Sequence, residues 1–148
     1  SSAADRRRML QGDPAMPVIV GRSFAADDRF GDGGTQLDEA VVVRCTFVAC
    51  GFDGAALFSA SFVDCTFDGV SLYWCHAFRA RFVGCRFERC DLRGNFDEAV
   101  FVRCRFAACA TGPNELGGVT RWRGAAAIDC ECEATLLPLA PPDGPPQD

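Results

Sequence analysis

Cysteine is the residue type with the most potential chemistry in this sequence, which has ten cysteines and one histidine in 148 residues. A thiolate can act as a nucleophile, a metal ligand or one half of a disulfide exchange. Cys75 is followed directly by His76, and a neighbouring imidazole is what activates a catalytic thiol. Cys130 and Cys132 form the close pair that a zinc site would need. Thiol catalysis, zinc binding and a disulfide framework are therefore the three chemistries to weigh.

The positions of the cysteines argue against all three. Eight of them occupy the same place in a five-residue pattern, namely Cys45, Cys50, Cys65, Cys75, Cys85, Cys90, Cys104 and Cys109. A cysteine in such a place behaves as a small buried hydrophobe, whereas disulfide frameworks belong to small secreted domains. In this pattern Cys75 falls at a position that points into the core and His76 at one that points to solvent, so their side chains should diverge. We predict reduced thiols, a cytoplasmic location, and no catalytic residue, metal or cofactor.

The five-residue pattern runs from Leu37 to Phe106 and must position every other feature. Its large positions hold Phe47, Phe52, Leu57, Phe62, Phe67, Leu72, Phe82, Phe87, Leu92, Phe96, Phe101 and Phe106. Ala77 replaces one large residue, and the spacing slips by one residue near Gly94. A period of five fits neither a helix nor a plain strand, and a fixed short period is typical of a solenoid. If four sides of five residues make one coil, residues twenty apart stack, and the large residues form the core.

Individual segments carry a family resemblance. They are Ala60-Ser61-Phe62-Val63-Asp64, Cys90-Asp91-Leu92-Arg93-Gly94 and Ala99-Val100-Phe101-Val102-Arg103. This pattern resembles the pentapeptide-repeat family, whose motif is a small residue, a polar residue, Leu or Phe, and two variable residues. The resemblance covers roughly half of the chain. It implies an all-β fold, a short right-handed quadrilateral β-helix of about 3–4 coils with a cap at each end. Fold by itself does not fix function.

The flanks of the repeats divide the chain further. We predict an N-terminal leader and cap at 1–34, the β-helix at 35–111, a C-terminal cap with a strand at 112–137, and a Pro-rich tail at 138–148. Pro17 to Val20 is a β-prone run that could pair with the first coil. Ile128 to Leu136 alternates apolar and polar residues, which favours one half-buried strand. Trp122 should pack onto the last coil. No apolar run approaches the roughly 20 residues of a transmembrane helix.

Outward positions of the pattern carry the candidate protein-binding surface. Its aromatic members are Phe58, Tyr73, Trp74, His76 and Phe78, and its aliphatic members are Val63, Val83 and Val102. Grouped exposed aromatic residues are typical of protein contacts. The valine ladder is open to a second interpretation, ordinary β-propensity on a strand face. We predict a non-catalytic protein–protein interaction module that neutralises or regulates a partner of unknown identity, as an immunity protein or regulator would.

Charge suggests an alternative function. The chain carries a net charge of −5, and all fifteen basic residues are arginine, which indicates a GC-rich bacterial source. The best-known activity implied by the family resemblance is inhibition or protection of DNA gyrase by long acidic rods that mimic DNA. The segment from Leu37 to Phe78 contains five acidic residues and one arginine, but the segment from Arg79 to Arg105 contains seven arginines and four acidic residues. This chain therefore departs from a uniformly acidic rod. A gyrase or topoisomerase partner remains the alternative. Direct nucleic-acid binding is not expected, because the net charge opposes it. Membrane contact is not expected either, and both a monomer and a homodimer stay open.

Overall fold

Short strands joined by turns make up the protein in its computed structural model, which describes residues 16–31 and 34–132. The strands are β1 (Val18–Val20), β2 (Ser23–Phe24), β3 (Val41–Val43), β4 (Thr46–Val48), β5 (Ser61–Val63), β6 (Thr66–Asp68), β7 (Arg81–Val83), β8 (Arg86–Glu88), β9 (Val100–Val102), β10 (Arg105–Ala107), β11 (Ala126–Ile128) and β12 (Glu131–Cys132). In these two described ranges no helix is present, and so none that could cross a membrane.

Each coil of the chain has four sides. The odd-numbered strands stack in parallel and form face 1, and the even-numbered strands form face 2 in the same way. Two columns of single β-bridges complete the square. Face 3 runs through Gly51, Ser71, Asp91 and Ala110, and face 4 through Ala56, His76, Asn95 and Arg121. The register steps by about twenty residues, since Val42 lies opposite Phe62 and Phe62 opposite Phe82.

The corners explain why five residues make one side. Twelve described non-glycine residues have φ between 51° and 60°, and they lie at corners such as Arg44 and Asp64. A left-handed residue costs backbone energy, and hydrogen bonds between coils offset that cost. Arg44 N donates to Val63 O at 2.8 Å, and Asp64 N donates to Val83 O at 2.8 Å. Corner amides of one coil therefore bond to carbonyls of the next coil.

Stacked phenylalanine rings fill the interior. All twelve large side chains of the predicted core are at most 2% exposed. Phe67 lies between Phe47 and Phe87, with ring centroids 4.9 Å and 4.8 Å apart and planes within 5° of parallel. Phe62 and Phe82 stack at 5.1 Å in a second column, set edge-on to the first. The predicted all-β solenoid is confirmed, and strands β3 to β10 make about four coils.

Strand pairing of the same kind continues at both ends. At the N-terminal end β1 pairs in parallel with β3, from Val18 opposite Val41 to Val20 opposite Val43. At the C-terminal end Trp122 occupies an inward position and stacks on Phe96 at 5.5 Å.

The prediction of one continuous strand from Ile128 onward is wrong in its described part. The chain turns a corner at Asp129, with φ 53°, which separates β11 on face 1 from β12 on face 2. Alternation of apolar and polar residues is the same in a straight strand and around such a corner, so the pattern could not distinguish them. Residues 133–136 of this run lie outside the described part of the chain.

Ala77 stays inside the coil although it is small. It is fully buried, and Phe78 remains outside, half-buried under the Arg79 guanidinium at 5.0 Å. The coil therefore does not bulge to bring Phe78 inward. The sequence is compatible with a coil that bulges to bring Phe78 inward and with a regular coil in which neighbours fill the space beside Ala77, and the structure has the regular coil.

Candidate functional site

One corner of the solenoid gathers the predicted aromatic residues. We call Phe58, Tyr73, Trp74, His76 and Phe78 the aromatic corner. Phe58, His76 and Phe78 project from face 4, Tyr73 from face 3, and Trp74 stands where the two faces meet. The Phe58 and His76 rings stack at 5.9 Å, and the Tyr73 and Trp74 rings meet edge-on at 5.6 Å. Trp74 and Phe58 are 57% and 44% exposed, so the corner offers aromatic surface to solvent.

Trp74 occupies a backbone position that suits glycine. Its φ is 57°, and the same corner of the coil below holds Gly54 with φ 69°. Both amides bond to the next coil, Gly54 N to Tyr73 O at 3.0 Å and Trp74 N to Arg93 O at 2.9 Å. The position therefore needs only a left-handed residue. Neither backbone geometry nor burial explains a tryptophan there.

Tyr73 has a structural role that the sequence pattern did not reveal. It is half-buried beneath a loop of residues 111–120, whose ends are joined by the Thr120 N to Thr111 O bond at 3.0 Å. Asn114 Nδ2 donates to the Tyr73 hydroxyl at 3.4 Å, and Asn114 Oδ1 accepts from Gly118 N at 2.7 Å. A Cβ on Gly118 would lie 2.6 Å from the Tyr73 ring. Tyr73 thus supports the loop. The Gly112-Pro113 and Gly117-Gly118 pairs indicate a loop in the sequence, but nothing in the repeat pattern indicates its contact with Tyr73.

A cavity of about 200 Å³ lies between this loop and Trp74. It forms where the repeat is one residue short, because Gly94 lets the chain tighten against the coil below. A Cβ on Gly94 would lie 2.6 Å from Leu72 O and 2.7 Å from Cys75 Sγ. The lining residues are Trp74, Cys75, His76, Arg93, Gly94, Asn95, Gly117, Gly118, Val119 and Arg121. No carboxylate is among them.

Two arginines at this cavity are held in place. Arg93 Nε donates to Gly112 O at 2.7 Å, and its Nη1 pairs with Asp91 Oδ2 at 3.2 Å. Arg121 Nη2 pairs with Asp97 Oδ2 at 3.1 Å. A guanidinium has five N–H donors, so these bonds use two donors of Arg93 and one of Arg121. Both side chains keep donors for a further acceptor.

The valine ladder lies on face 1, away from the aromatic corner. Val63, Val83 and Val102 are half-buried, because each packs against its neighbours along the column. Exposure is largest at the two ends, with Val20 at 48% and Ile128 at 46%. This partial burial favours β-propensity as the reason for the valines, and their role in binding stays a prediction.

The cysteines are placed as structural residues. Seven of them are buried free thiols, namely Cys45, Cys50, Cys65, Cys75, Cys85, Cys90 and Cys104. Cys75 is fully buried and His76 is exposed, as their inward and outward positions in the repeat predicted. Cys130 is half-buried and Cys132 exposed. Within residues 16–31 and 34–132, no group of three or more His, Cys, Asp and Glu side chains could hold a metal ion.

Burial of Cys75 predicts a loss of stability at high pH. Desolvation raises the pKa of this thiol from 9.0 to about 12. The unfolded chain therefore releases the proton first, and the free energy of unfolding should fall as pH rises from about 9 toward 12. Between pH 8 and pH 10 the expected fall is about 1.4 kcal/mol from this one thiol. Urea denaturation at the two pH values measures it.

Cys75→Ala is the matched control for that experiment, because Ala55 occupies the equivalent inward position one coil below. This variant should show a smaller fall between the two pH values. The buried thiols should also react slowly with thiol reagents while the protein is folded. Stability that rises with pH, or rapid labelling of Cys75 in the folded protein, would contradict the prediction.

The repeats match a known family. A family model described as pentapeptide repeats finds eight copies over residues 55–94. These repeats belong to the pentapeptide-repeat family. The matched segment includes the aromatic corner, Arg93 and Gly94, whereas the 111–120 loop and Arg121 lie beyond it. No curated protein sequence matches this chain.

Solved structures of pentapeptide-repeat proteins are also similar to this chain. QnrB1, a plasmid-mediated fluoroquinolone resistance protein, shows 21% identity and a TM-score of 0.34 over 76% of this chain and 54% of its own. HetL, involved in heterocyst differentiation regulation in the cyanobacterium Nostoc sp. strain PCC 7120, shows 15% identity and a TM-score of 0.48. The match covers 88% of this chain and 51% of HetL. Rfr23 from the cyanobacterium Cyanothece 51142 shows 10% identity and a TM-score of 0.38. The match covers 88% of this chain and 93% of Rfr23. The chain thus spans about half the length of QnrB1 and HetL.

Proposed function

We propose that this pentapeptide-repeat chain is a non-catalytic module that binds a partner protein, and neutralises or regulates it, through the aromatic corner. The observation that carries the proposal is Trp74, which is 57% exposed at a left-handed corner where the coil below has glycine. A bulky residue in that backbone region costs free energy. Large exposed aromatic residues contribute most where a partner buries them.

The residues around Trp74 support a contact of this kind. Tyr73 meets the Trp74 ring edge-on at 5.6 Å and is itself held by the 111–120 loop, so Trp74 stands on a supported surface. Phe58 and His76 extend the aromatic area along face 4. A rigid aromatic side chain loses little conformational entropy on binding, which favours affinity.

Trp74→Gly should weaken partner binding at least tenfold and leave the fold intact, since loss of an aromatic anchor can cost about 2 kcal/mol or more. Stability should stay equal or rise slightly, because glycine adopts φ 57° without strain. Quantitative pull-down from the native host, with the recovered partner then titrated against both proteins, measures the effect.

Ala49→Gly is the matched control, because Ala49 also has φ 57° but lies at the corner between faces 2 and 3. It makes the same kind of backbone change away from the aromatic corner and should leave partner binding unchanged. Equal binding by the wild type and Trp74→Gly would overturn the proposal.

A gyrase-directed DNA mimic is the competing function, and a separate series of variants distinguishes it. That function requires Asp53, Asp64 and Asp68, and inhibition of supercoiling would weaken steeply as salt rises. Asp68 is already paired with Arg89, and Asp53 accepts a hydrogen bond from the Ser71 hydroxyl. These contacts reduce the acidic surface that a DNA mimic would present, which is why we place this function second.

A further inference from the structure

The cavity beside Trp74 has the size of a receptor for one side chain. Its volume of about 200 Å³ is smaller than the roughly 300–1,000 Å³ of sites for drug-sized ligands. Its two sides come from different parts of the chain, with Gly94 on the repeat side and Gly117 to Val119 on the loop side. Tyr73 fixes the loop through Gly118 and Asn114, so the cavity is held open in the folded protein.

The two charged side chains that line the cavity are both arginines. Arg93 and Arg121 line it and no carboxylate does, although the chain has a net charge of −5. Arg93 is held by Gly112 O and by Asp91. Arg121 is held by Asp97, which is only 8% exposed. Guanidinium groups fixed in this way suit a carboxylate, which accepts two parallel N–H bonds.

The remaining wall is aromatic and apolar. Trp74, His76 and Val119 line it, together with the polar residue Asn95. A carboxylate carried on a short aliphatic stem matches this lining, because the stem packs on the rings while the charged end reaches the arginines. A neighbouring apolar residue of the same segment would then cover Trp74 and Phe58.

We propose that this cavity receives a glutamate or aspartate side chain from an acidic segment of the partner protein. The inference rests on the proposed function, since it names the chemistry of the partner at the same corner. The aromatic corner supplies contact area, and Arg93 with Arg121 selects a segment that carries an acid at the right place.

Blocked peptides test the inference directly. The probes are acetyl-Ala-Leu-Glu-Leu-Ala-amide and the same peptide with Gln in place of Glu, titrated into the full chain while tryptophan fluorescence is followed. Trp74 is exposed and Trp122 is stacked on Phe96, so Trp74 reports contact at the cavity. The Glu peptide should bind about tenfold more tightly than the Gln peptide, as expected for one charge-assisted hydrogen-bonded pair. Sodium benzoate is titrated in the same way, to test whether the cavity binds a small carboxylate that is not part of a peptide.

Arg121→Gln should remove most of the preference for Glu. Its matched control is Arg81→Gln, because Arg81 is also exposed but lies on face 1, and this variant should keep the preference. Equal affinity for the Glu and Gln peptides, or an unchanged preference in Arg121→Gln, would overturn the inference. Binding of benzoate without binding of the Glu peptide would also overturn it, in favour of a small carboxylate ligand.

Failure of this inference is distinguishable from failure of the proposed function. If Trp74→Gly loses the partner protein and Arg121→Gln keeps it at wild-type affinity, the acid-binding cavity is wrong and the aromatic contact stands. If neither variant loses the partner, both proposals are wrong.

Discussion

Phe67→Ala should lower the free energy of unfolding by about 3–5 kcal/mol, the cost of emptying a large buried site. Phe67 is 1% exposed and is stacked between Phe47 and Phe87 at 4.9 Å and 4.8 Å. Phe62 meets it edge-on at 5.5 Å. The parallel strands above and below are tied by backbone bonds, so the coil cannot collapse to fill the space. Urea denaturation followed by circular dichroism measures the change.

Phe58→Ala is the control for that experiment. Phe58 is the same residue type on the outside of the same solenoid, at 44% exposed, so its loss should cost about 1 kcal/mol or less. Equal costs for the two variants would show that the inward and outward positions of the repeat have been assigned wrongly.

Gly94→Ala should destabilise the protein by about 3 kcal/mol or more, at the upper end of what overpacking costs. The added methyl group would lie 2.6 Å from Leu72 O and 2.7 Å from Cys75 Sγ. The first of these is backbone in the middle of a coil, which cannot move aside without breaking bonds to its neighbours. The same change would displace the floor of the Trp74 cavity, so binding of the Glu peptide should weaken as well.

Gly51→Ala provides the comparison. A Cβ at Gly51 would meet nothing within 4 Å, and its φ is not in the left-handed region, so alanine should be neutral or slightly stabilising there. A Gly94→Ala variant as stable as Gly51→Ala would show that the shortened corner does not need glycine.

The solenoid could be predicted because its rule is local and repeated. Each side needs one large residue in the middle and one small residue two places earlier, and neighbours such as Phe47 and Phe67 reveal the coil length by their spacing of twenty. The exposed position of His76 follows from the same rule. Periodicity also predicted the aromatic corner, since Phe58 and Phe78 directly follow inward positions.

The local rule ended where the chain left the repeat. The alternation after Ile128 looked like one strand because a corner at Asp129 leaves no mark in a pattern of apolar and polar residues. Tyr73 and Trp74 looked equivalent in the sequence, yet one supports a loop and the other is exposed. That difference depends on residues 111–120, which are far from Tyr73 in sequence and return to it only in the folded chain.

The architecture, the core and the side on which each repeat residue lies can therefore be predicted from the amino-acid pattern, because one coil constrains the next at a fixed spacing. The cavity beside Trp74 arises only in the folded chain. The repeat is one residue short near Gly94, and the 111–120 loop lies beside this corner. Arg93 and Arg121, which are 28 residues apart in the sequence, both line the cavity. A periodic pattern cannot predict this cavity, because the cavity forms where the period is interrupted near Gly94. Its walls come from contacts that only the folded chain creates.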